Sequence, residues 1–210
     1  DEEPESLSPG WNFQIKTPSK NHPDLHTSLL GRHQVENCAT AIGTIDMLTT
    51  RQELSFENLS MGIRNCSIPG RMELIETASR VPPIIDTAHT IESIRALLNG
   101  IDTHFPGYNP IMIFGCNREK NWQGIIKAFK EKCQRLILTQ ASTPRAVAPR
   151  KLADYAAETQ IPNVETIISP IEALEKGLEY SDVKSILCLT GSFYLAGEVR
   201  EKFSEEMEKK

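Results

Sequence analysis

Two rhythms of apolar and polar residues run along this chain, and they change near Gly70. Before that point, only Trp11-Asn12-Phe13-Gln14-Ile15 alternates as a strand does. A helical pattern follows over 33–50, with Val35, Cys38, Ala39, Ala41, Ile42, Ile45, Met47 and Leu48 on one broad face. A short second helix is expected over 56–64, ahead of the breaker cluster Ser67-Ile68-Pro69-Gly70. Residues 1–30 are otherwise polar and carry four of the thirteen prolines, so they read as a frayed edge with no core of their own.

After Gly70, short apolar runs alternate with amphipathic ones. Strands are expected at 72–77, 83–86, 111–114, 135–139, 164–168 and 184–189. Helices are expected at 91–101, 122–132, 147–158, 170–179 and 192–206. Alternation of this kind builds βαβ units, hence an α/β fold with a mostly parallel sheet covered by helices on both faces. Open parallel sheets take ligands outside the carboxyl ends of their strands. Here those ends are Asp86-Thr87-Ala88-His89, Gly115-Cys116-Asn117-Arg118-Glu119-Lys120, Thr139-Gln140-Ala141-Ser142 and Thr190-Gly191-Ser192. They hold the polar and charged groups that the strands lack.

Composition narrows the function. The 210 residues give a net charge of −5, with 23 Lys and Arg against 28 Asp and Glu, so no general basic surface exists for a nucleic acid. No apolar run approaches the roughly 20 residues that span a bilayer, and no signal-peptide core follows the acidic start. Five dispersed cysteines without C-x-x-C spacing suit buried free thiols in a cytoplasmic protein and give no structural zinc pattern. No Gly precedes a Lys, which excludes a G-x-x-x-x-G-K-[ST] loop. Neither G-x-G-x-x-G nor G-x-S-x-G occurs. Alone, the chain has no self-sufficient machinery for activating a nucleotide.

Four ordered segments carry a resemblance: Leu29-Leu30-Gly31-Arg32-His33-Gln34-Val35-Glu36-Asn37, Pro69-Gly70-Arg71-Met72-Glu73, Ile85-Asp86-Thr87-Ala88-His89-Thr90, and Leu189-Thr190-Gly191-Ser192-Phe193-Tyr194-Leu195-Ala196-Gly197-Glu198. In this order they resemble folylpolyglutamate synthase/dihydrofolate synthase of the Mur ligase superfamily. The resemblance implies that 1–66 is the tail of a central ATP-binding domain and 67–210 a Rossmann-like C-terminal domain. It places the P-loop half of the enzyme upstream. The implied reaction phosphorylates a folate or dihydropteroate carboxylate with ATP, and glutamate then attacks the acyl phosphate. ATP and Mg2+ are the implied cofactors, with the metal ligands expected outside this chain, and this portion is expected to be inactive by itself.

By the same resemblance, Asn37, Arg71, Asp86 and His89 would bind the nucleotide, and Ser192, Lys120 and Arg145 the incoming glutamate. Several have a plainer alternative. Asn37 could satisfy local backbone, Arg71 could pair with Glu73 or Glu76, Asp86 could cap the helix near 91, and Ser192 could simply cap its own helix. The family pattern Asp-Gly-Ala-His-Asn is altered here by Thr87 and Thr90. Thr at the last place resembles the muramyl-tripeptide branch, Asp-Tyr-Ala-His-Thr, whereas the Gly191-Ser192 motif resembles the folate branch. A muramyl-peptide ligase portion and a non-catalytic α/β binding module therefore remain alternatives.

Overall fold

The computed structural model describes residues 10–48, 55–75 and 81–208, with the side chains beyond 202 left aside. The chain divides into two compact units, Asp1–Pro69 and Gly70–Lys210.

In the first unit, β1 (Trp11–Lys16) and β2 (Asn21–Thr27) form an antiparallel hairpin, with an irregularity in register between Phe13 and Ile15. Helices α1 (Arg32–Leu48) and α2 (Phe56–Arg64) follow. Leu25, Ile42 and Leu59 are buried together, with Phe13, Ile15, Ile45 and Ile63 packed around them. This corrects the expectation of a coreless edge. The second strand hid because Asn21-His22-Pro23-Asp24 is depleted in strand formers and Asp24 sits at φ +52°. Asp46 of α1 holds the hairpin turn in place. Its Oδ2 accepts from Thr17 Oγ1 at 2.6 Å and from His22 Nε2 at 2.9 Å. Those two hydrogen bonds, Thr17 first, hold the Asp46 carboxyl below the usual carboxylate range.

The broad apolar face expected on α1 is narrower than its pattern. Only Gln34, Cys38 and Ile42 are buried, and Met47 and Leu48 are 78% and 76% exposed. In this unit the hairpin covers only part of the helix surface. Residues 49–50, expected to continue the helix, lie outside the described residues.

The second unit is a six-stranded sheet. Its strands in chain order are β3 (Glu73–Leu74), β4 (Ile84–Ile85), β5 (Asn109–Phe114), β6 (Arg135–Leu138), β7 (Val164–Thr166) and β8 (Ser185–Thr190). They lie in the spatial order β3-β4-β8-β5-β6-β7. Only β3 runs antiparallel to its neighbour. The expected strand 72–77 is short here, and its residues 76–77 fall outside the described ones. The helices are α3 (Ile91–His104), α4 (Trp122–Phe129), α5 (Pro149–Glu158), α6 (Pro170–Tyr180) and α7 (Phe193–Glu208).

Successive side chains of a strand point to opposite faces. Ile111, Ile113, Leu187 and Leu189 therefore pack against Ala173 and Leu174 of α6 and Leu195 and Val199 of α7. Met112, Phe114, Ile186 and Cys188 fill the other face, where Phe114 meets the Phe129 ring of α4 edge-on at 5.3 Å. Every residue of β8 is buried. That two-sided burial explains why this strand reads as a continuous apolar run instead of an alternating one. Among the described residues, no helix is long and apolar enough to cross a membrane.

Candidate functional site

Because β4, β8, β5 and β6 are parallel neighbours, the loops after all four open on one edge of the sheet. There they surround a cavity of about 280 Å³. His89 comes from the loop after β4, Lys120 and Glu119 from the loop after β5, Arg145 from the loop after β6, and Ser192 from the start of α7. The structure thus brings together four of the seven expected site residues.

The Gly191–Ser192 turn is fixed by sterics. Gly191 has φ +112°, and a Cβ there would stand 2.5 Å from the Gly115 carbonyl oxygen. Only glycine fits so close an approach in that backbone conformation. Ser192 is buried, and its Oγ accepts from the Tyr194 amide at 3.2 Å, so it does cap α7. Capping does not withdraw the site. Ser192, Phe193 and Tyr194 all line the cavity, which puts the N-terminal end of α7, the positive end of its dipole, at the cavity's edge.

Lys120 is half-buried at the cavity, and among the described residues no acid pairs with its ammonium. Arg145 is held from two sides. Its Nη2 donates to the Tyr194 hydroxyl at 3.1 Å, and its Nη1 lies 3.9 Å from Glu119 Oε1. Backbone bonds close the two loops on each other: the Arg118 amide donates to the Arg145 carbonyl at 2.9 Å, and Val147 to Cys116 at 2.9 Å. The Cys116 thiol beneath is pushed up to about 12 by burial, with the Glu119 charge adding to it, so it stays protonated and is no nucleophile.

His89 Nδ1 lies 2.8 Å from the Thr87 carbonyl oxygen. A carbonyl can only accept, so Nδ1 carries the hydrogen, and in the neutral ring Nε2 is left as an acceptor. The ring tilts against Phe193 at 5.6 Å, and the Arg71 guanidinium lies over the same Phe193 at 5.7 Å. Arg71 Nη1 also donates to Thr87 Oγ1 at 3.1 Å, and Thr87 Oγ1 donates on to the Gly70 carbonyl. Arg71 therefore stands beside the cavity, held by Thr87 and Phe193. The Glu73 carboxylate, which could have claimed Arg71, instead accepts from the Gly70 amide at 2.8 Å and from Arg200 at 2.9 Å. The other candidate partner, Glu76, lies outside the described residues.

Asp86 follows β4 directly. It does not cap α3: Thr90 does, in a reciprocal capping box with Ser93. Asp86 is 6% exposed, and its two carboxylate oxygens accept from the Met72 amide at 2.8 Å and the Ala88 amide at 2.7 Å. It ties the Gly70–Met72 turn to the end of β4. Asn37 belongs to the first unit, where it is exposed on α1. It donates to Gln34 Oε1 at 2.9 Å, and Gln34 in turn bonds His33 at 3.0 Å.

Three participants carried no role in the sequence reading. Phe193 and Tyr194 are 56% and 50% exposed and flank the cavity, unlike most aromatics in this unit. Their signal was two adjacent rings directly after a glycine–serine turn. Glu198, one helical turn beyond Tyr194, accepts from the Ser142 amide at 2.7 Å and from Ser142 Oγ at 3.1 Å. Among the described residues, no group of three or more His, Cys, Asp or Glu could hold a metal ion.

Known proteins share this architecture. The Bacillus subtilis dihydrofolate synthase/folylpolyglutamate synthase is 26% identical over 200 residues, which is 94% of this chain and 45% of that protein. A Streptococcus sanguinis UDP-N-acetylmuramoyl-L-alanyl-D-glutamate–L-lysine ligase is 27% identical over 176 residues, 81% of this chain and 35% of that one. The crystal structure of a Thermotoga maritima folylpolyglutamate synthase superposes with a TM-score of 0.79 at 28% identity, over 93% of this chain and 44% of its own. A Mycobacterium tuberculosis folylpolyglutamate synthase complexed with ADP and AMPPCP shares the fold, with a TM-score of 0.77 at 24% identity over 87% of this chain and 42% of its own. The chain spans less than half the length of these relatives. The family model described as Mur ligase, glutamate ligase domain, matches residues 70–193, and the chain belongs to that family.

Proposed function

We propose that this chain is the C-terminal portion of an ATP-dependent ligase that joins glutamate to folate or dihydropteroate through an acyl phosphate. In this reading 1–66 belongs to the ATP-binding central domain, the rest of the protein supplies the P-loop and the Mg2+ ligands, and the chain turns nothing over by itself. The observation that carries the reading is the convergence of Lys120, Arg145, His89 and Ser192 on one cavity of about 280 Å³. That volume lies just below the usual range of small-molecule pockets, about 300–1,000 Å³, and suits an amino acid better than a nucleotide.

Lys120, with no acid partner among the described residues, takes one carboxylate of glutamate, and the Arg145 fork takes the other. Ser192 and the α7 amides add donors. His89 Nε2 accepts from the glutamate amino group and helps aim it. Arg71, outside the cavity rim, offers its remaining donors to a nucleotide phosphate or ribose, and Asn37 offers an amide to the adenine edge. Confining glutamate and the acyl phosphate away from water supplies proximity and suppresses hydrolysis.

Thr90 does not favour the muramyl alternative, because its hydroxyl has a full structural account as the cap of α3. Isothermal titration of the chain with L-glutamate and with L-lysine tests the choice. Lys120→Met and Arg145→Met should each weaken glutamate binding on the order of tenfold or more, the effect of losing a charge-assisted hydrogen bond. Equal affinity for L-lysine, or no change in Lys120→Met, would refute the glutamate assignment.

A further inference from the structure

Arg145 lines the cavity from an exposed loop, and an exposed arginine does not ordinarily hold one geometry. Helix α7 grips that loop twice. Tyr194 and Glu198 are four residues apart and so share one helical face. Tyr194 takes Arg145 itself, through its hydroxyl at 3.1 Å and its ring at 5.6 Å from the guanidinium carbon. Glu198 takes Ser142, three residues earlier, with one oxygen on the amide at 2.7 Å and the other on the hydroxyl at 3.1 Å. Between them the loop is closed by short local bonds, Thr143 to the Ala141 carbonyl at 2.7 Å and Ala146 to the Thr143 carbonyl at 3.1 Å. Such a loop moves as a unit, so anchoring Ser142 fixes where Arg145 begins.

We propose that Glu198 is a positioning residue: by clipping Ser142 to α7 it sets the stance of Arg145 in the cavity, and with it the affinity for a carboxylate ligand that Glu198 never touches. The proposal rests on the carboxylate reading of the cavity only for its last clause. A carboxylate suits the task because both of its oxygens are acceptors and the two groups of Ser142 are both donors. Glutamine keeps one acceptor and presents a donor to the other, and alanine keeps none.

The test uses the 210-residue chain labelled with 15N. Steady-state heteronuclear NOEs at the amides of Ser142 and Arg145 and at Arg145 Nε should fall in Glu198→Ala and fall less in Glu198→Gln. L-Glutamate affinity should drop on the order of tenfold in Glu198→Ala. Adding Arg145→Met to Glu198→Ala should cost far less than Arg145→Met costs alone, because the two residues act through one contact. Unchanged NOEs in Glu198→Ala would overturn the proposal. So would full additivity of the two substitutions, since a merely structural role for Glu198 predicts it. If the unsubstituted chain does not bind L-glutamate, the functional reading falls, and the Arg145 Nε signal alone decides the role of Glu198. Should Glu198→Ala fail to fold, Ser142→Ala removes one of the two bonds from the other side and must loosen Arg145 in the same direction.

Discussion

Asp86 bonds two buried amides, which makes its removal a quantitative test of the site's foundations. In Asp86→Ala the Met72 and Ala88 amides lose their acceptors. A buried donor left without a partner costs about 1–3 kcal/mol, so the pair is worth roughly 2–6 kcal/mol. A water entering the polar gap left by the carboxylate would re-pair part of it, which favours the lower half, about 3 kcal/mol. Met72, held at φ +46°, where a side-chain-bearing residue is strained by roughly 1–2 kcal/mol, relaxes once the turn is freed, which also keeps the loss in that lower half. In Asp86→Asn one oxygen survives, and the amide nitrogen faces a donor, so about half of the loss is expected. At roughly 2–4 °C per kcal/mol, Asp86→Ala should lower Tm by about 10 °C and Asp86→Asn by about 5 °C. Thermal and urea unfolding followed by circular dichroism, with unchanged urea slope, measures both. If either variant lies within about 0.5 kcal/mol of the parent, the two-amide account is wrong. In the longer ligase that we propose, assayed well below the melting range, Asp86→Asn should raise the KM for ATP far more than the KM for folate. The variant frees the turn that carries Arg71.

Other expectations are separable from that one. Gly191→Ala forces a Cβ to 2.5 Å from a carbonyl oxygen and should destabilise by several kcal/mol, whereas a Cβ on Gly197 meets nothing within 4 Å, so Gly197→Ala should stabilise by up to about 1 kcal/mol; opposite signs in urea midpoints confirm the pair, and like signs refute it. The lowered Asp46 pKa gives a signed pH dependence: the stability it contributes is full above the ordinary carboxylate range and is lost as pH falls through the depressed value, so Asp46→Asn should flatten the acid limb of a stability–pH curve below about pH 4. Cys133 and Cys116 are pushed up to about 12 by burial, and burial raises Cys188 as well, while Cys66 is only half-buried; a thiol reagent on the native chain should therefore label Cys66 first and the others only on unfolding, and rapid native labelling of Cys188 would contradict the buried sheet.

Which parts of this were legible beforehand follows from what each element leans on. The parallel strands of the second unit are buried on both faces, so their apolar runs announce themselves without knowledge of neighbours. The helices between them carry one-sided patterns, three of them with Ser, Thr or Asn at their starts: Thr90, Asn121 and Ser169 cap α3, α4 and α6. Strand β2 is the opposite case. Its polar residues form a strand because Leu25 packs with Ile42 and Leu59, and because Asp46 anchors His22. Neither reason is local to the strand, and a window along the sequence cannot contain it.

The site divides along the same line. That ligands gather at the carboxyl ends of the strands was readable from the βαβ alternation alone, and it named the loops carrying His89, Lys120 and Ser192. What alternation does not contain is strand order. The last strand, β8, enters the sheet between β4 and β5: the Asp86 amide bonds to Leu189, the Gly115 amide to Thr190, and Thr190 Oγ1 to the Ala88 carbonyl. That insertion carries Gly191–Ser192 and the rings of Phe193 and Tyr194 between loops that precede them by more than 70 residues. A sheet with β8 at its edge would keep every strand, helix and motif of this sequence and would have no cavity shared by Ser192, His89 and Lys120. Only the resemblance of whole motifs brought those residues together in advance. Glu198 escaped even that, because its meaning depends on a bond to Ser142, 56 residues away, which only the folded sheet creates.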